Sequence, residues 1–193
     1  MAVQEWLRRR FARPPEIVRA VVLASPDPDE RVLAWGELVR GGGWLVATSR
    51  GLRSVPAELP LDAAGDVGVL PWHEIGSARW TATNDGGGSF AVVRLAEVEP
   101  GVQARQPAER YALADAGDLP PVVRRRVDQT VVASRRSPLP SGGAVVLVAR
   151  RVPGQAAREW TVVFDDDGDR DDPTSREVAR QKLAEAVAAE LPE

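Results

Sequence analysis

The stretch RVLAWGELVR (31–40), GGG (41–43), WLVATSRGLRSV (44–55) decides the fold. Two runs rich in Val, Leu and Trp, separated by glycines, form the simplest local pairing a chain can make, a β-hairpin turned by the glycines. Arg31 to Arg40 is thus the first expected strand and Trp44 to Val55 its partner. Toward the N-terminus the periodicity is helical. Gln4 to Phe11 carries Trp6, Leu7 and Phe11 on one side, and Pro15 to Ala24 opens with Pro and then Glu16, where the helix dipole favours an acid. Ser25 to Asp29, rich in Pro and Asp, is the turn from helix to sheet.

Toward the C-terminus, a Pro/Asp/Gly-rich stretch from Pro56 to Gly68 leads into a third strand, Val69 to Thr83. Asn84, Asp85 and Gly86 to Gly88 turn the chain into a fourth, Ser89 to Ala96. From Glu97 to Asp118 the periodicity is lost in a polar connection, and Leu119 to Asp128 suits a short helix, so 97–128 is expected to be an insertion between strands four and five. Thr130 to Arg136, Ala144 to Arg151 and Arg158 to Phe164 supply three more strands, for seven in all. The terminal helix has the clearest signals: Asp172 as cap, Pro173 in the first turn, Thr174 and Glu177 at capping-box spacing, and Ala179, Leu183, Ala186, Val187 and Leu191 recurring on one face to about residue 191.

Composition narrows the function classes. The chain of 193 residues has no Cys, which excludes thiolate metal sites, disulfides and thiol nucleophiles and fits a reducing, cytoplasmic setting. A net charge of −3 gives no global field toward nucleic acid or anionic membrane. Of 25 basic residues only Lys182 is Lys, so Arg-rich segments reflect composition as well as function. Arg8 to Arg10 followed by Val21 to Ala24 superficially resembles a signal peptide, but the apolar run is short and Pro26 to Asp29 follows it. No apolar stretch approaches the about 20 residues a spanning helix needs.

The order of elements, with Asp29-Glu30-Arg31-Val32-Leu33, Val46-Ala47-Thr48-Ser49-Arg50-Gly51-Leu52 and Leu70-Pro71-Trp72-His73-Glu74-Ile75, resembles the bacterial pleckstrin-homology-like superfamily and actinobacterial proteins of similar length. The resemblance implies an α+β, mainly β fold: a seven-stranded antiparallel barrel or sandwich with a C-terminal capping helix. An N-terminal helical segment at 1–28 precedes the domain at 29–193. It also implies a binding or scaffold role, since such domains include lipid-headgroup binders, peptide binders and scaffolds. The family's inositol-phosphate site uses basic residues around the first hairpin; here that hairpin is Arg40-Gly41-Gly42-Gly43-Trp44, with Arg50 and Arg53 further on.

No catalytic set converges. His73 is the lone His, and Glu74 beside it would point to the opposite face of a strand. The acidic run Asp165 to Asp172 does not fit a calcium loop: placing Gly168 at the invariant glycine puts Val163 at the first ligand position and Thr174 at the last. Neither Gly triplet belongs to a phosphate-binding motif. The candidate patch is basic. Arg124, Arg125 and Arg126 precede one strand and Arg150 and Arg151 end the next, so an antiparallel hairpin would gather all five at one edge, with Arg135 and Arg136 at the turn end. Trp35, Trp44, Trp72, Trp80 and Trp160 fall on expected strands, as core or as anchors for a partner.

The expectation is therefore a non-catalytic protein-binding module without cofactor or metal. The alternative is an anion binder, for nucleic acid or a phosphorylated ligand, at the arginine edge. Nucleic acid is disfavoured because that segment lacks aromatic side chains for stacking, and a homodimer is left open.

Overall fold

The computed structural model describes residues 13–39, 42–84 and 87–189. The helix expected at Gln4 to Phe11, and Leu191, lie outside them. The fold is α+β and mainly sheet, with a C-terminal helix. Two compact units divide it. The first comprises the chain through Trp72, Ala78–Val92 and Glu109–Arg126; the second comprises His73–Ser77, Val93–Ala108 and the chain from Val127 onward. Among the described residues each unit holds a hydrophobic cluster of its own.

In the first unit α1 (Glu16–Leu23) precedes β1 (Val32–Leu38) and β2 (Trp44–Thr48), which pair antiparallel with Trp35 opposite Val46. Alternation sends Trp35, Trp44 and Val46 to one face, where they pack with Val18 and Val21 of α1 and with Val55. The long second strand expected over 44–55 is broken. Thr48 Oγ1 accepts from the backbone N–H groups of Arg50 and Gly51, both at 3.1 Å, and this local bond reverses the chain into β3 (Gly51–Val55). The expected third strand also divides, into β4 (Leu70–Pro71) and β5 (Ile75–Ala82), around a 3-10 turn at Trp72–Glu74. Trp72 is buried there and donates its indole N–H to the Thr48 carbonyl at 3.1 Å.

β6 (Gly88–Glu99) is followed by β7 (Val102–Arg105) and β8 (Glu109–Asp115), two strands in what the sequence suggested was a polar connection. Their inward residues are few, Val102, Ala104 and Leu113, with exposed Pro107 between the strands. In the first unit β6 pairs with β8 and β8 with β1, giving the neighbour order β4-β3-β2-β1-β8-β6, with β5 on β6. The helix α2 (Leu119–Thr130) follows, close to its expected position. A Cβ at Gly36 would meet Leu119 at 3.3 Å, so the start of α2 lies on the face of β1 opposite Trp35.

The second unit is built on β9 (Val131–Pro138), β10 (Ala144–Arg150) and β11 (Glu159–Phe164), antiparallel neighbours as expected. β7 joins β11 in parallel, Val102 opposite Val162, which departs from the expected all-antiparallel pairing. Among the described residues there are eleven strands, not seven. The acidic run is partly a helical turn, α3 (Asp167–Asp171), capped by Asp166, which accepts from the Gly168 N–H at 2.7 Å. α4 (Pro173–Ala188) is capped by Asp172, as expected; the cap bonds the Ser175 N–H at 2.7 Å, in place of a Thr174–Glu177 box. Its Val178, Ala179, Leu183 and Ala186 cover Val145, Leu147, Val162 and Phe164, whereas Val187, expected on the same face, is exposed. Glu99 at the end of β6 accepts from Arg180 at 3.0 Å and Arg176 at 3.3 Å, and those bonds, Arg180's first, hold its carboxyl below the usual range.

Candidate functional site

Of the five arginines expected to share one edge, three lie on α2, the helix expected at Leu119 to Asp128, and two end or follow β10. Arg124, Arg125 and Arg126 lie on α2, where successive side chains diverge by about 100° and cannot form one extended surface. Arg124 and Arg125 are exposed, while Arg126 is half-buried with Nε unpartnered. Arg126 ends the first unit's segment, and Arg150 and Arg151 belong to the second. The β9–β10 hairpin forms as expected, with Arg150 opposite Val131. Arg151 is exposed, but Arg150 is only 6% exposed, so the expected surface patch loses that member.

The other candidates are also fixed internally. Arg53 of β3 is buried and its fork grips Glu30: Nε donates to Oε1 at 3.0 Å and Nη2 to Oε2 at 2.7 Å. Arg50 pairs with Asp27. The arginines following the first hairpin therefore serve the fold, and that hairpin turns on Gly42 and Gly43, both at positive φ. His73 stands in the 3-10 turn, not on a strand. Among the described residues no group of three or more His, Asp or Glu is arranged to hold a metal. Asp165 is engaged by Arg136, with Nη2 at 2.8 Å and Nε at 3.1 Å.

A cleft of about 290 Å³ opens in the second unit where β7 and β11, paired over only two positions, diverge. Gln103, Arg105, Phe164, Asp165 and Arg170 line it. Arg105 donates to the Phe164 carbonyl at 3.1 Å, and Asp165 already carries Arg136, so its polar groups largely satisfy one another.

The edge of β5 is less complete. Among the described residues β5 pairs only with β6, leaving one side of an eight-residue strand without a neighbour. Ser77, Arg79 and Thr81 are exposed, alternating with half-buried Ala78 and Trp80. Trp80 leans on Phe90, ring centroids 6.2 Å apart, and a Cβ at Gly88 would come within 2.6 Å of the indole, so Gly88 makes room for it. No acid among the described residues pairs with Arg79. Edge strands are normally blunted by charge, Pro or a bulge, because their open backbone groups recruit other strands. β9 shows that protection, carrying Arg135 and Arg136 and ending on Pro138; β5 carries the single charge of Arg79 and no Pro. The alternation S-A-R-W-T (77–81) is visible in the sequence, but nothing local shows that the strand lacks an outer neighbour.

No family model, curated protein or solved structure matches this chain.

Proposed function

We propose that this protein is a non-catalytic protein-binding module that captures an extended segment of a partner by strand addition to β5. The observation that carries this is the β5 edge, which has no neighbour among the described residues and on which no described acid pairs with Arg79. Main-chain hydrogen bonds to the edge supply affinity, and side chains at alternate positions supply selection. An acidic residue opposite Arg79 would add a cross-strand ion pair, and Trp80 and Ala78 offer apolar contact on the other face. The pleckstrin-homology-like reading belongs to this proposal and is supported by the first unit. There the order β4-β3-β2-β1-β8-β6, with β5 on β6, precedes α2, so α2 takes the role of the closing helix and α4 serves the second unit. No described helix is long and apolar enough to cross a membrane.

The test is to select binders from a display library of short random peptides on the full chain and map them by amide chemical-shift changes. Selected peptides are expected to carry an acid within an apolar extended motif and to shift the amides of Ala78 to Ala82. Arg79→Glu should weaken them roughly tenfold, by charge reversal across a strand pair, while Arg135→Glu on β9 leaves them unchanged. Shifts that map away from β5, or equal effects of the two substitutions, would refute the proposal.

A further inference from the structure

Arg150, the last residue of β10, is a buried charge of the second unit. It is 6% exposed, and its Nη1 donates to the Thr130 hydroxyl at 2.9 Å. That hydroxyl is itself committed, donating to the Val127 carbonyl at 2.7 Å. Nε is buried without a partner, and no carboxylate among the described residues pairs with the guanidinium, although Glu159 is its cross-strand neighbour on β11. Burial alone pushes its pKa down. A guanidinium stays charged at any ordinary pH, so this desolvated cation has no carboxylate bonded to it among the described residues.

The other arginine buried among the described residues comes with its acid: Arg53 is buried to a similar degree and Glu30 fills its fork. At Arg150 the hydroxyl takes Nη1, and Nε is buried with no hydrogen-bond partner among the described residues. The Nε/Nη2 side of an arginine presents two parallel donors spaced for two oxygens of one oxyanion. We propose that Arg150 is the core of an anion site in the second unit, taking an oxyanion of the phosphate or carboxylate class at its Nε side. The site is independent of strand addition at β5. It also differs from the surface patch expected from sequence, since Arg150 would bind from within the fold and Arg124 to Arg126 take no part.

The experiment is a titration of the full chain with sodium phosphate, and separately sodium acetate, at low millimolar concentration against chloride of equal ionic strength. It is read by the arginine Nε–Hε resonances and by the thermal midpoint. One Nε–Hε signal, identified by its loss in Arg150→Met, is expected to move saturably with one of the two anions. The midpoint should rise by roughly 5–10 °C at a hundredfold excess over Kd. The anion that acts distinguishes a phosphate from a carboxylate ligand. In chloride, Arg150→Met should be at least as stable as the parent, because an unpaired buried charge has gone, and neither anion should raise its midpoint; Arg150→Lys keeps the charge but loses the fork and should lose the response. If neither anion moves the Arg150 signal in the parent chain, or if Arg150→Met gains the same midpoint rise, the proposal fails. If Arg150→Met does not fold, the signal is identified by its loss in Arg150→Lys, and the titration of the parent still decides the question.

Discussion

Arg53→Met is expected to cost about 3–5 kcal/mol of unfolding free energy, a large share of what a domain of this size has. The side chains of Arg53 and Glu30 are 5% and 1% exposed and joined by two parallel hydrogen bonds. Ser25 donates to the same carboxylate, and Arg53 reaches the Val67 carbonyl through Nη1. One guanidinium thus ties the turn after α1, strand β3 and the segment before β4. Removing it leaves Glu30 buried and charged with only the hydroxyls of Ser25 and Thr48 for company, which is the expensive case. Replacing both partners, Arg53→Met with Glu30→Leu, removes both desolvation penalties and is expected to recover most of the loss. Urea unfolding of the parent, the single variants and the double variant checks this; a double variant no better than Arg53→Met would show that the packing, not the charge, was decisive.

The same pair sets an acid limb. Desolvation pushes the Glu30 carboxyl upward, but the hydrogen bonds from Arg53, Ser25 and Thr48 outweigh it and hold the pKa at about 2, against 4.5 unperturbed. A carboxyl with a depressed folded-state pKa stabilises the fold fully above its unfolded value. That contribution is lost as pH falls from 4.5 through 2, on the order of 3 kcal/mol in all. In Arg53→Met the sign inverts: the lone buried carboxyl has a raised pKa, so stability is highest in acid and falls as pH rises through that value. Midpoints measured across this range should slope in opposite directions for the two proteins, and parallel slopes would remove Glu30 as the cause.

What the sequence showed about this fold is what local chemistry encodes. The glycine turn between β1 and β2, the Pro-led α1, and the Asp172-Pro173 start of α4 each rest on a few adjacent residues, and each is present. β7 and β8 were invisible because their inward positions are few and interrupted by Pro107, and because β7 finds β11 in parallel sixty residues away (Val102 to Val162). The surroundings of the arginines are equally beyond local reading. An arginine at a strand end reads as solvated, and only the tertiary fold shows Arg150 enclosed with no acid and Arg53 enclosed with one. Arg79 looked unremarkable for the converse reason, since an absent neighbour leaves no sequence mark.

Gly51→Val is the second substitution expected to have a large effect, about 2–4 kcal/mol, although Gly51 has no unusual φ. A Cβ there would lie 2.1 Å from the Leu70 carbonyl oxygen and 2.7 Å from its carbon, both backbone atoms of the paired strand β4. Neither atom can swing aside as a side-chain tip can, so β3 and β4 must separate. Their separation pulls on Trp72, two residues beyond Leu70, whose indole N–H is held by the Thr48 carbonyl while Thr48 Oγ1 holds the turn at Arg50 and Gly51. The turn that divides β2 from β3 and the docking of the first unit's buried tryptophan therefore depend on one missing methyl group. The expected signs are a lower unfolding midpoint together with red-shifted tryptophan emission in the still-folded variant, as Trp72 gains water. Gly51→Val with native emission and unchanged stability would mean that β4 is free to move, and that its pairing with β3 contributes nothing to holding Trp72.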